Sequence, residues 1–283
     1  MTLFPLPPFD FAIFPLMMVA FGLLLWLQWR SPLRRQRFNT LRRVVRNIGV
    51  SVPMFICFRL LLVPVPLLTA LWAKQHEVGL LHWLLPITGD WPWVSGILGF
   101  LCFDYSYYWW HQATHYWPAF YRFHNVHHTD LDMDVSTAVR FHFSDMIVGT
   151  VFRALIVVIF GIDFWTVLVY EGVFELATQF HHSNTRLPER VERVLNYVIV
   201  TPRMHGIHHS IVRDEFNSNW GTVLSVWDRL HRTHRMDIPQ EAIDIGVPAY
   251  RDERELTFKK LLKMPFGPQR EWRLPTGEEP KRK

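Results

Sequence analysis

Apolar residues dominate the first two thirds of the chain in long runs, and polar residues gather between and after them. Phe11 to Trp29 is apolar throughout except at Gln28, long enough to span a bilayer. A second run, Val50 to Trp72, is broken by Pro53, Pro64 and Pro66 and contains Arg59. A third covers Trp93 to Trp110. Two further runs, Met146–Phe160 and Phe164–Phe180, are separated by Gly161–Ile162–Asp163, and each is slightly short for a full crossing. They predict a helical hairpin that passes through or dips into the membrane and re-emerges on the side it left, just before His181 and His182. No plausible span follows. The pattern predicts an integral membrane protein with about four transmembrane helices and polar, His-rich segments between and after them. Its expected divisions are an anchor with two spans (1–92), a catalytic domain (93–235) and a C-terminal cytosolic tail (236–283) whose last residues, Pro275 to Lys283, are frayed.

Charge orients these spans. Arg30, Arg34, Arg35, Arg37, Arg42, Arg43 and Arg46 follow the first run with no acidic residue among them, which places that loop in the cytoplasm. A cleavable signal peptide fits poorly, because no basic segment precedes the first run and no small-x-small cleavage site follows it. The second span then leads to a far-side loop from Lys74 to Trp91, where Trp83, Trp91 and Trp93 suit an interfacial belt. The third span returns the chain to the cytoplasm near His111, so every His motif falls on one face. The net charge of +5 points to anionic lipid headgroups rather than nucleic acid, because the arginines abut a span. Cys57 and Cys102 lie inside apolar runs and read as packing residues.

The chemistry is in the histidines. His-x-x-His-His occurs twice, as His124–Asn125–Val126–His127–His128 and His205–Gly206–Ile207–His208–His209. At this His frequency about 0.04 copies would arise by chance. On a helix the three positions lie within about 100° of one another, so each motif can aim three imidazoles at one point, and two motifs can surround a pair of metal ions. Thr201–Pro202 resembles a helix start, placing the second motif in the first turns of a helix. His111 and His115, at i and i+4, share a helical face where the third span leaves the membrane. Of the adjacent His181 and His182 only one need face the metals. His142 is isolated, with a hydrogen-bonded interfacial role as plausible as a site role. Topology excludes His76 and His82, and His231 and His234, beside Arg232 and Arg235, read as solvated surface. Neutral imidazoles suit iron, zinc and copper. Such ligands normally give their other N–H to a carboxylate or carbonyl, and Asp130, Asp132, Asp134, Asp145, Asp214 and Asp228 are near enough in sequence to serve.

Other chemistries lack their signatures. There is no Gly-rich phosphate loop, Cys-x-x-Cys, haem motif, Gly-x-Ser-x-Gly or His-Glu-x-x-His. A metal transporter would place its ionisable ligands inside the spans, whereas these lie at the membrane surface or beyond it. A metal-dependent hydrolase of membrane lipids could use the same ligands, and a requirement for O₂ and reductant separates it from an oxygenase.

Taken in order, His111-x-x-x-His115, His124-x-x-His127–His128, Phe180–His181–His182–Ser183–Asn184 and Thr201–Pro202–Arg203–Met204–His205-x-x-His208–His209–Ser210 resemble the sterol desaturase / fatty acid hydroxylase superfamily. Asn219–Trp220–Gly221 and Leu224–Ser225–Val226–Trp227–Asp228–Arg229–Leu230 extend the likeness, which covers roughly residues 95–235. The resemblance implies an all-α integral membrane di-iron oxygenase, about four transmembrane helices with a cytosolic, helical, His-rich cap, that uses O₂ and two external electrons to hydroxylate or desaturate a lipid C–H bond. It implies His111, His115, His124, His127, His128, His182, His205, His208 and His209 as ligands of two iron ions. His142, His181 and Asp145 would stand around them. The chain departs from the family pattern at Phe143, where Pro is usual, at His181, where Gln is common, and at His231–Arg232 in place of Phe–Gly. It contains no evident electron-carrier module, so the resemblance implies a separate electron-donor protein. The lipid class, which among relatives ranges over sterols, fatty acyl chains, ether lipids and carotenoids, is open, as is the oligomeric state.

Overall fold

The computed structural model describes residues 9–88 and 92–282. Trp91 of the expected aromatic belt lies outside the described residues. The chain is helical, and among the described residues β structure is limited to isolated bridges such as Pro32 with Thr185.

A π-helical turn (Phe9–Ile13) leads into α1 (Phe14–Arg30), whose run of Leu, Met and Phe continues to Ser31–Pro32. Its one polar interruption is used: Gln28 is buried, and its Oε1 accepts from the backbone N–H groups of Val135 (3.1 Å) and Asn184 (3.0 Å). α2 (Thr40–Cys57) starts well before the apolar run because Asn39 caps it, accepting from Arg42 N–H at 3.0 Å. The helix passes through Pro53 and widens into a π turn (Phe58–Leu62) before α3 (Pro64–Gln75). Val63 N–H closes that turn onto Phe58 O at 3.0 Å, immediately before Pro64, which has no N–H to lose. The prolines therefore bend this segment without ending it.

α4 (Leu80–Thr88) precedes α5 (Pro92–Tyr116) and α6 (Pro118–His128). α7 (Phe143–Phe160) is capped by Gly161, whose φ of 68° only glycine adopts without strain, and α8 (Phe164–His182) starts at Asp163, which accepts from Trp165 and Thr166 N–H. Among the described residues three helical stretches are long and apolar enough to cross a bilayer: Phe11–Arg30, Thr40–Leu84 and Phe143–Phe160. This makes the chain an integral membrane protein, with fewer such stretches than the expected four. Asp104 on α5 and Glu171 and Glu175 on α8 interrupt the apolar pattern of helices that are otherwise long enough. Val19, Trp26, Val52, Leu60, Val151 and Ile159 point outward and exposed, the arrangement expected of lipid-facing walls. α8 lies against α1, α3 and α5, and the α7–α8 turn meets the α3–α4 turn so closely that a Cβ on Gly79 would overlap the Gly161 backbone.

Above the spans the helices are short: α9 (Glu189–Leu195), α10 (Pro202–His208), α11 (Arg213–Phe216), α12 (Val226–His231) and α13 (Phe258–Lys263). Such helices have little stability of their own, so side-chain networks hold the cap together. Part of the arginine run is used here. Arg43 is wholly buried, bonds Asp130 Oδ2 and Asp132 O at 2.6 Å each and pairs with Asp134. Arg34 donates to Pro202 O and to Gln240 Oε1 at 2.6 Å, and burial lowers its pKa to about 10. Arg37 pairs with Asp244. The expectation that this run serves lipid headgroups therefore fails for the buried Arg34 and Arg43, because polar and acidic partners distant in sequence fold onto them.

The segment after residue 235 is not a tail. Ile238, Ile243 and Ile245 form an apolar core with Met133 and Ile207, and Val247, Tyr250, Leu256, Leu261 and Trp272 form another with Val126, Leu131 and Phe216. Arg282, expected in a frayed end, reaches both carboxylate oxygens of Glu215 at 2.5 and 2.8 Å.

Candidate metal centre

Helix geometry decides where each imidazole goes. On α6 and α10, positions i and i+4 lie about 40° apart, and i+3 lies about 60° to the other side of i. The structure follows that split instead of aiming all three rings of a motif at one point. Nitrogens of His111, His115, His128 and His208 lie within 4.8 Å of one another, and so do those of His127, His182, His205 and His209. The second motif thus gives its i and i+4 rings to one group and its i+3 ring to the other. The first motif does the reverse, with His124 Nε2 3.2 Å from His128 Nε2 and His127 in the opposite group. Both groups are buried and abut: the His128 and His209 rings stack at 4.3 Å, and His124 lies about 5 Å from His115, His127 and His128.

The donor set fits metal ions. His182 Nδ1–H donates to Thr178 O at 2.8 Å, His208 Nδ1–H to Ser218 O at 2.8 Å, and His111 Nδ1–H to Trp220 O at 2.9 Å. Each of these rings therefore presents an unprotonated Nε2 inward. His182 Nε2 lies 2.9 Å from His127 Nε2 and 3.0 Å from His205 Nε2, which is 3.2 Å from His209 Nε2. Nitrogens bound at about 2.0–2.1 Å sit roughly 2.8–3.0 Å apart along an octahedron's edge and roughly 3.3–3.4 Å apart in a tetrahedron, so the spacing suits a shared cation. Among the described residues Nε2 of His208 and both nitrogens of His115 have no hydrogen-bond partner, and a bound ion would satisfy one nitrogen of each ring. Burial also holds the rings neutral: it lowers the pKa of His208 to about 3 against the pull of the Ser218 carbonyl, and lowers those of His127, His128, His205 and His209 well below the ordinary imidazole value, with neighbouring rings adding to the effect.

Of the six aspartates expected to support histidines, Asp145 does so, 3.2 Å from His124 Nδ1. Backbone carbonyls take the role elsewhere, because the aspartates have other work. Asp132 accepts from the Arg37 and Phe38 N–H groups, and Asp228 accepts from Trp220 N–H and Gly221 N–H at 2.7 Å each and from the Thr233 hydroxyl. Asp228 so fixes the turn whose Trp220 carbonyl orients His111. Its place in the Trp227–Asp228–Arg229 run was the available signal for that role.

The remaining histidines divide. His181 is buried against His205 with ring centroids 4.1 Å apart, outside both four-histidine groups. His142 also lies outside them: its Nδ1 accepts from Ser144 N–H at 3.1 Å, capping α7, and its Nε2 is 3.2 Å from Leu262 O. Both its nitrogens are committed to structure. His231 and His234, read from sequence as solvated, are half-buried. His231 stacks on Tyr105 and Tyr108, and His234 bonds Asn196 Oδ1 at 2.7 Å.

A cavity of about 610 Å³ opens on both groups, with His111, His124, His127, His182 and His205 in its wall, and runs down between the spans past Phe141, Trp110, Met54 and Phe58 to Met17 and Phe9. Its size suits a lipid chain.

Residues 96–233 match the model of the fatty acid hydroxylase family. The chain is 28% identical over 159 residues to an ornithine lipid hydroxylase of Rhizobium tropici, covering 56% of this chain and 47% of that protein. It is 28% identical over 151 residues to alkylglycerol monooxygenase of Homo sapiens (53% and 32%) and 24% identical over 138 residues to a very-long-chain aldehyde decarbonylase of Oryza sativa subsp. indica (46% and 22%). The alignments therefore span less than half the length of each of these relatives. No solved structure matches.

Proposed function

Residues 96–233 are a fatty acid hydroxylase domain, and from that premise we propose that the chain is a membrane-bound oxygenase that hydroxylates or desaturates a C–H bond of a lipid, using O₂ and electrons from a separate donor protein. The observation that carries this reading is the juxtaposition of two buried four-histidine groups with one apolar cavity leading down between the spans. The relatives named for lipid hydroxylation and alkylglycerol oxidation support the same class of substrate.

His111, His115, His128 and His208 would hold one iron ion and His127, His182, His205 and His209 the other, with His124 completing the set beside His128. Iron bound there supplies the one-electron and O₂ chemistry that side chains lack. The chain's own contribution is preorganisation. The carbonyls of Thr178, Ser218 and Trp220 fix tautomers, and Asp145 orients His124 and adds a negative charge next to it. The apolar wall excludes water and holds the substrate chain in place, with Phe141 stacked on His127 at 4.3 Å. We place the cap in the cytoplasm. The exposed arginines Arg30, Arg35 and Arg42 at the head of the spans support that orientation. The contact of Gly79 with Gly161 supports a full crossing by α7 and α8, since it puts their turn at the level of the α3–α4 turn.

Comparative lipidomics of cells carrying the wild-type chain, a His124→Ala variant or a His205→Ala variant, grown with and without air, tests the proposal. One lipid class should gain an oxygen atom or lose two hydrogens in the wild type alone, and only in air. Unchanged lipids with the folded, metal-loaded protein present, or a lipid change that persists without O₂, would overturn it.

A further inference from the structure

Well below the histidines the cavity wall carries charge where hydrocarbon would be expected. Arg153 on α7 donates through Nε to Glu171 Oε1 on α8 at 2.8 Å, and its guanidinium lies over the rings of Tyr107 (4.7 Å) and Phe174 (5.4 Å). Tyr107, Arg153 and Glu175 line the cavity, with Glu171 directly behind Arg153. Tyr107 is only 3% exposed and its hydroxyl has no hydrogen-bond partner among the described residues, and neither does Oε2 of the equally buried Glu171. Ionisable groups at membrane depth cost several kcal/mol and are kept for a use. Pinning α7 to α8 uses Arg153 and one oxygen of Glu171, and leaves the Tyr107 hydroxyl and the Glu175 carboxyl unaccounted for.

Helical spacing fixes where these groups stand relative to the histidines. Glu171, Glu175, Thr178 and His182 follow at i, i+4, i+7 and i+11, one stripe along α8. Tyr107 and His111 share a face of α5 at i and i+4. Glu175 therefore lies about 10 Å below His182 along its helix, and Tyr107 about 6 Å below His111. One guanidinium against two carboxyls leaves the cluster rich in acceptors, while Arg59, elsewhere on the wall, has interactions of its own.

We propose that Tyr107, Arg153, Glu171 and Glu175 form a polar subsite within the cavity that binds a hydrogen-bond-donating group, a hydroxyl or an ammonium, on an otherwise apolar lipid. Occupancy of this subsite sets which carbon of the lipid faces the histidines, about two helical turns away. The substrate class is then a lipid with a buried polar mark, distinct from a plain alkyl chain. The inference rests on the oxygenase reading only for the word substrate; the binding site stands on the cavity itself.

The test uses the purified full-length protein in detergent and follows its melting temperature with hexadecanol, hexadecylamine or hexadecane. Hexadecanol or hexadecylamine should stabilise the wild type with at least tenfold higher apparent affinity than hexadecane, and which of the two does so identifies the donor. Tyr107→Phe and Glu175→Met each keep approximate shape and remove one polar group. Both should erase the preference while melting like the wild type without ligand, and in cells both should spread oxidation over neighbouring carbons of the product lipid. Equal stabilisation by all three probes, or a preference unchanged in both variants, would overturn the subsite. Lipid oxidation is not required for the melting measurement, so loss of the oxygenase reading and loss of the subsite are told apart.

Discussion

Replacing Arg43 with methionine isolates the clamp that holds the first His-x-x-His-His motif in register. Arg43 comes from α2, and its partners Asp130, Asp132 and Asp134 begin two residues after His128. Burial alone would raise the Asp130 carboxyl, but the Arg43 and Arg140 guanidiniums reverse the effect and hold it at about 2. Asn47 Nδ2 and the Thr137 hydroxyl also donate to Asp130, at 2.7 and 2.9 Å, and Arg140 ties Asn47 Oδ1 to Val126 O and the Thr129 hydroxyl. Methionine fills most of the volume but leaves two carboxylates buried without their main cation. Breaking one partner of a buried pair costs about 3–5 kcal/mol. The surviving donors to Asp130 and the Ser136 N–H and hydroxyl on Asp134 put this case near the lower end. At about 2–4 °C per kcal/mol for a chain of this size, the melting temperature should fall by roughly 6–12 °C. Differential scanning of intrinsic fluorescence in detergent reads this, and metal content by mass spectrometry should fall with it. Adding Asp130→Asn and Asp134→Asn to Arg43→Met removes the stranded charges and should recover part of the loss. A fall under about 2 °C for the single variant, or a triple variant as unstable as the sum of the separate changes, would refute the clamp.

Three other variants probe separate elements. Asp145→Asn removes the anion beside His124 while keeping its shape and should lower metal affinity about 10–100-fold with little change in melting, read by competition with a chelator. His142→Ala should cost about 1 kcal/mol of stability through loss of the α7 cap and leave metal content at the wild-type level, with His142→Asn restoring stability; metal loss in both variants would return His142 to the centre. Trp272→Ala should destabilise the cap by about 3–5 kcal/mol, since its ring packs on Phe216 at 4.3 Å and its Nε1–H bonds Ile211 O at 2.8 Å; an unchanged melting temperature would contradict that packing.

The sequence made some of this legible because certain chemistries are rare. Two His-x-x-His-His motifs, the His111–His115 pair and the Thr201–Pro202 helix start are local patterns, and the structure brings all of those histidines except His124 into two buried groups, with His124 beside them. Which ring joins which group was not local. It depends on how α6 and α10 face each other, and so each motif divides between the groups where the sequence suggested convergence. The same limit hid Arg43 and Arg34. A run of arginines after a span reads as lipid-facing charge, and only the return of Asp130, Asp134 and Gln240 from distant sequence turns it inward. The C-terminal segment was misread for a related reason. Its isoleucines and Trp272 are too dispersed for periodicity to register, and their role appears only against Ile207 and Phe216. The span count differs for a local reason: Glu171 and Glu175 on α8 and Asp104 on α5 lower the apolarity of helices that are long enough, so neither joins the three stretches apolar enough to cross.

The closing of the cap by late residues has a consequence for how the protein is made. Phe216, whose ring lies 4.4 Å from that of His115, is backed by Trp272, and Glu215 beside it is held by Arg282, both far downstream of His209. A ribosome adding about 5–20 residues per second emits His209 several seconds before the residues that back this wall. Until they arrive, the His115 side of the site lacks Trp272 behind Phe216 and Arg282 behind Glu215. On the iron-binding reading proposed above, timing would then join ligand chemistry in selecting the ion, and slowing synthesis between residues 210 and 272 should raise the share of other cations found in the purified protein by mass spectrometry.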